Sequence, residues 1–162
     1  MNTGVEYSTG EILFFLHGDT IVPKNFDTII RTTLKESRDT ILGAFSFQTD
    51  VENLFGMKLM NRVTNWRSRM FQLPYGDQGL FLLKKDFIEN CGFADMNFFE
   101  DFEFVTKIQK KGFVRIANVP TITSSRRWIK KGVFYSVFLN QILVILYLFG
   151  ATPDQLGHLY YS

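Results

Sequence analysis

Ile12-Leu13-Phe14-Phe15-Leu16 is an unbroken apolar run that stops at His17-Gly18-Asp19-Thr20. Without polar–apolar alternation, such a run reads as a strand covered on both faces, and a strand of that kind belongs in the middle of a sheet. It therefore demands neighbours and covering helices. Leu80-Phe81-Leu82-Leu83 repeats the pattern. Further strands are expected at 41–48 and 113–117. Between them lie helical spacings: Phe26, Ile29, Ile30 and Leu34 after an N-capping Asn25, then Phe55, Leu59, Val63, Trp66 and Met70 within 52–70. A short helix is expected over 85–90, and another over 101–111 closed by a left-handed Gly112. Strands alternating with helices predict an α/β fold with a mixed, mostly parallel sheet flanked by helices.

The composition suits such a core. Eighteen of the 162 residues are Phe, so the interior should be bulky and aromatic. The formal charge of +2 gives no reason to expect a nucleic-acid partner. The single cysteine, Cys91, excludes an internal disulfide framework and fits a reducing, cytoplasmic compartment. Residues 1–10 lack the basic-then-apolar order of a secretory signal.

Residues 133–149 are apolar apart from Ser136, Asn140 and Gln141. The stretch is short and interrupted for a membrane span. Arg126, Arg127, Lys130 and Lys131 precede it, an arrangement that suits an anionic lipid surface. Packing on the core or against another subunit is the alternative. The expected organisation is a body over 1–128 and an apolar helical segment over 129–162.

Four polar groups sit at the ends of apolar runs. His17 and Asp19 offer imidazole and carboxylate ligands to Mn²⁺ or Mg²⁺, or form a simple turn. In Gly76-Asp77-Gln78-Gly79 the glycines allow close backbone approach, and Asp77 can accept hydrogen bonds from sugar hydroxyls or fix a tight turn. Glu100 and Asp101 open a helix, where carboxylates cap; a pair of this kind also raises one member's pKa and supplies a general base. Arg126 and Arg127 can bind diphosphate oxygens, with Trp128 stacking on a sugar or filling core.

The order of these groups resembles the family 2 glycosyltransferases of the GT-A fold. More narrowly, it resembles a bacterial subgroup with His-Ala-Asp-Thr, Pro-Tyr-Gly-Asp-Gln-Gly, Glu-Asp and Ser-Arg-Arg-Trp motifs. Here these read His17-Gly18-Asp19-Thr20, Pro74-Tyr75-Gly76-Asp77-Gln78-Gly79, Glu100-Asp101 and Ser125-Arg126-Arg127-Trp128. The resemblance implies transfer of a sugar from a nucleotide-diphosphate donor, metal-assisted and inverting, to an acceptor it does not identify. In that reading Asp19, with His17, takes the metal. Asp101, beside Glu100, is the base. Tyr75, Asp77 and Gln78 face the acceptor, while Arg126, Arg127 and Trp128 close on the donor diphosphate.

Two departures accompany the likeness. Ser124 stands where a fuller Gln-x-x-Arg-Trp pattern has Gln, and His17 stands where the metal motif has its first acid. Relatives also carry a nucleotide-binding βαβ portion ahead of the first strand. The chain is accordingly expected to correspond to the later part of such an enzyme, completed by a missing N-terminal half or by a second copy at an open strand edge. A non-catalytic binding or assembly subunit and a nucleotide-diphosphate hydrolase are the competing classes. Location at the inner face of the membrane is the accompanying expectation.

Overall fold

The computed structural model describes residues 1–51 and 53–161. The fold is mixed α/β, a five-stranded sheet flanked by helices. Its elements in chain order are α1 (Asn2–Glu6), β1 (Ile12–Phe15), β2 (Thr20–Ile21), α2 (Phe26–Lys35), β3 (Thr40–Thr49) and α3 (Phe55–Met70). After a 3-10 turn at Gly76–Gln78 come β4 (Leu80–Leu83), α4 (Lys84–Glu89), α5 (Glu100–Ile108), β5 (Phe113–Thr123), α6 (Arg126–Lys131), α7 (Val133–Leu148) and α8 (Pro153–Tyr161).

Among the described residues the strand order is β1-β4-β3-β5-β2, and only β3 and β5 pair in parallel. The expectation of a mostly parallel sheet is therefore corrected: three of the four pairings are antiparallel. The position of β1 is corrected too. It lies at the sheet edge, paired through Ile12↔Leu83 to Phe15↔Leu80, rather than in the middle. Both of its faces are nonetheless covered, which explains the missing alternation. Leu13 and Phe15 join one cluster with Leu42, Leu80, Leu82, Phe87, Phe93 and Phe104, whereas Ile12 and Phe14 pack on the other face with Phe45, Phe81 and Ile30. The 80–83 run obeys the same logic in a more central place.

β5 extends well past the expected Ala117. It reaches Thr123 despite Pro120, because the register against β3 jumps from Ala44↔Ile116 to Ser46↔Pro120. The irregularity removes the need for a ladder hydrogen bond from the proline. Helix α5 stops at Ile108, before the expected end, and Gly112 is not a left-handed cap. Its lack of a side chain matters for space: a Cβ there would lie 2.7 Å from the Asp39 carbonyl oxygen. Residues 2–6 form α1, fastened where Asn2 Nδ2 donates to the Phe93 carbonyl and Phe93 N–H donates to Asn2 Oδ1.

The apolar stripe of α3 faces outward. Met57, Met60 and Ser68 are its buried residues, while Phe55, Leu59, Val63, Trp66 and Met70 are exposed. Glu52, where this helix was expected to begin, lies outside the described residues. Helix α7 packs beside α3, and Val133 and Val137 join a cluster with Phe47, Met57, Met60 and Trp128. Only Ser136 and Leu143 of α7 are buried, so it is not a core helix. Among the described residues no helix is long and apolar enough to cross a membrane.

Candidate functional site

Strand pairing carries the distant polar groups to one end of the sheet. β2 pairs with the end of β5 through Thr20↔Thr123, and the two threonine hydroxyls lie 3.1 Å apart. Ser124 N–H donates to the Asp19 carbonyl, so the His17–Asp19 turn sits beside the segment leading into α6. That segment is fixed in turn by Asp50, whose Oδ1 accepts from Ser125 N–H at 2.8 Å. Hydrogen bonds from the Ser125 side chain and then its backbone hold the Asp50 carboxyl below its ordinary range.

The 76–78 turn is fixed from inside the protein. Gln78 is fully buried: Oε1 accepts from Ser68 Oγ at 2.7 Å and Tyr75 N–H at 3.3 Å, and Nε2 donates to the Phe45 carbonyl at 2.9 Å. Its amide is thus committed to holding the turn. On the other side, Gly76 N–H donates to Asp101 Oδ2 at 2.5 Å, while Asp101 Oδ1 accepts from Phe102 N–H. A Cβ on Gly76 would lie 2.8 Å from His17 Nε2 and 2.9 Å from Asp101 Oδ2. Glycine is what lets His17 and Asp101 close on the turn together.

The start of α5 is held by aromatic rings. Phe99 adopts a left-handed conformation at φ 66°, which costs on the order of 1–3 kcal/mol in a non-glycine residue. Its ring packs on Phe98, Phe102 and Tyr147, at centroid distances of 4.6, 5.6 and 5.4 Å. These contacts offset the strain and aim Glu100 and Asp101 at the end of the sheet.

The result is a cavity of about 310 Å³ lined by His17, Asp19, Tyr75, Asp77, Glu100, Asp101, Arg127 and Trp128. Eight of the ten residues expected from sequence therefore share one cavity wall; Gln78 lies behind it, and Arg126 is exposed and does not line it. Asn97, Phe98, Phe99, Thr123, Asn140 and Tyr160 are among the other residues of the lining and were missed. Asn140 had a legible signal, a polar residue inside an apolar helix; Tyr160 arrives only through the folding back of α8.

Charge within the cavity is unevenly distributed. Burial, and next the neighbouring Asp101 charge, push the Asp77 carboxyl up to about 6, against the pull of His17, Arg67 and Arg127. The raised carboxyl lies in the glycine loop. Asp77 Oδ1 is buried without a partner among the described residues. Arg67 stacks over Tyr75, its Cζ 3.5 Å from the ring centroid, and burial pushes the Tyr75 phenol up. Arg127 Cζ lies 5.1 Å from the Trp128 ring and 5.7 Å from that of Tyr160. Trp128 is buried against Phe47, so it fills core while also lining the cavity.

The described residues hold no group of three or more His, Cys, Asp or Glu side chains arranged for a metal ion. A Mg²⁺-like cation bridging phosphates needs only one or two carboxylates from the protein. Asp19 and the unpartnered Asp77 Oδ1 line the same cavity as Arg127, a donor set that fits such a cation. No protein-family model matches the chain, and no curated protein matches it.

Proposed function

We propose that the chain binds a nucleotide-diphosphate sugar at this cavity and supports metal-assisted, inverting glycosyl transfer. The observation that carries the reading is the convergence of Asp19, Asp77, Asp101 and Arg127, from four separate segments, on a single cavity. Arg127 is suited to compensate charge on the leaving diphosphate. A divalent cation, Mn²⁺ or Mg²⁺, would be held by Asp19 with His17 or Asp77 nearby and would supply further charge neutralisation. Asp101 is the proposed base, removing the acceptor's hydroxyl proton as that oxygen attacks the anomeric carbon. Its two backbone hydrogen bonds fix the carboxylate and leave lone pairs free for the acceptor.

Those same two bonds also favour a second reading, a non-catalytic binding subunit in which Asp101 is purely structural. Calorimetry with Mn²⁺ and a panel of nucleotide sugars tests donor binding. Metal-dependent binding is expected, lost in Asp19→Ala and Arg127→Ala and kept in Asp101→Asn. Donor binding indifferent to Asp19→Ala would defeat the proposed site. Turnover lowered about 10²- to 10⁴-fold by Asp101→Asn is expected of a general base; donor binding without turnover in the parent chain would establish the binding subunit.

A further inference from the structure

The polar cavity does not end at its own walls. Tyr75, Asp77, Trp128 and Asn140 also line a second, apolar groove of about 490 Å³ between α3 and α7. The volume is within the roughly 300–1,000 Å³ of small-molecule sites. Leu59, Val63, Trp66, Phe134 and Phe138 form much of its wall, and each is 42% exposed or more. A groove of apolar side chains left open to solvent calls for an apolar occupant.

Charge on the surrounding helices narrows the choice. Helix α3 carries Lys58, Arg62, Arg67 and Arg69 with no acid, α6 carries Arg126, Arg127, Lys130 and Lys131 with no acid, and α7 carries no charge. Where the groove meets the polar cavity, Arg67 lies over Tyr75 with its Nη1 buried and unpartnered among the described residues. An occupant with an anionic head and an apolar tail satisfies both features, as basic residues beside apolar surface do at anionic lipid interfaces.

We propose that the groove between α3 and α7 holds the apolar chain of an anionic, hydroxyl-bearing lipid, with its anionic group beside Arg67 at the junction and its hydroxyl reaching into the polar cavity as the acceptor. The acceptor role rests on the glycosyl-transfer reading; the lipid site does not. The shared residues Tyr75, Asp77, Trp128 and Asn140 stand at the junction of chain and head. The exposed apolar side chains around the groove would rest on the bilayer from which the lipid is drawn.

The protein's two tryptophans, Trp66 and Trp128, both line the groove, so their fluorescence reports its occupancy. An ω-bromoalkyl phosphate should quench both, and the unbrominated alkyl phosphate should reverse the quenching. Trp66→Phe and Trp128→Phe assign the signal to each position. Val63→Asp, a change at an exposed position, should weaken binding about tenfold with unchanged circular dichroism. An alkyl trimethylammonium of equal length should bind more weakly than the phosphate.

Several results would overturn the site: no quenching, quenching indifferent to Val63→Asp, or equal binding of the cationic amphiphile. Adsorption to phosphatidylglycerol vesicles without quenching of Trp128 would reduce the surface to a simple electrostatic patch and overturn the groove. So would a dimer in sedimentation whose association, and not lipid, protects Trp66. The quenching needs neither nucleotide sugar nor turnover, so a failed donor-binding experiment leaves it readable.

Discussion

Gly76 N–H donates to Asp101 Oδ2 at 2.5 Å, joining the loop before β4 to the first turn of α5. His17 closes on the same glycine from the other side. Gly76→Ala drives a methyl group into both side chains, and overpacking of this sort costs about 1–3 kcal/mol. Chemical denaturation should register that loss. Stability equal to the parent would mean that His17 and Asp101 move apart without cost, so that their approach is not enforced by the fold.

Gln78 holds the turn from within. Gln78→Ala strands Tyr75 N–H and the Phe45 carbonyl in a buried setting, whereas Ser68 Oγ keeps the Thr64 carbonyl as acceptor. The expected loss is on the order of 3 kcal/mol, since an orphaned buried polar group costs about 1–3 kcal/mol. Denaturant midpoints would show it. A loss of donor or acceptor affinity with full stability would instead restore Gln78 to direct contact with a ligand.

Asp77 predicts a pH dependence with a definite sign. Its folded pKa of about 6 exceeds the ordinary carboxylate value of 3.8, so the folded state favours the protonated form. The associated stability is complete below the ordinary value and declines as pH rises through about 6. Asp77→Asn should remove this decline, gaining at most about 3 kcal/mol at neutral pH and almost nothing near pH ~4. Unfolding free energies of parent and variant, measured with chelator across that range, test it; parallel curves would show that Asp77 ionises normally.

Asp50 predicts the opposite slope. Its carboxyl is held below the usual range, so its contribution is present above that range and disappears as pH falls through the lowered folded value. Because Asp50 is exposed, Asp50→Asn should cost under about 1 kcal/mol. The more telling measurement is amide exchange at neutral pH, which should quicken in α6 while that of α5 stays unchanged. Uniform exchange across the two helices would separate Asp50 from the placement of Arg127.

Much of the local structure was readable from side-chain pattern. The two apolar runs mark strands because alternate residues enter cores on opposite faces of the sheet: Leu13 and Leu82 on one, Phe14 and Phe81 on the other. Asp19 and Asp77, beside the ends of those runs, were singled out before any contact was known, as were Asp101 at the start of a helix and Arg127 ahead of the apolar helical segment, and all four line one cavity. The outward stripe of α3 was not readable. Its spacing identifies a helix but carries no direction, and the buried side is fixed by Met57 and Met60 against Phe47 and Trp128.

By itself the sequence marked β1, β3 and β4 as extended, α2 to α5 as helices, and the residues available for chemistry, since these follow from side-chain size, branching and local spacing. Tertiary structure alone decided that β1 lies at an edge, that Gln78 turns inward and that Asp77 carries the raised pKa. Each of these depends on which distant groups end up adjacent and how much water remains between them. Pairing of strands far apart in the chain sets both.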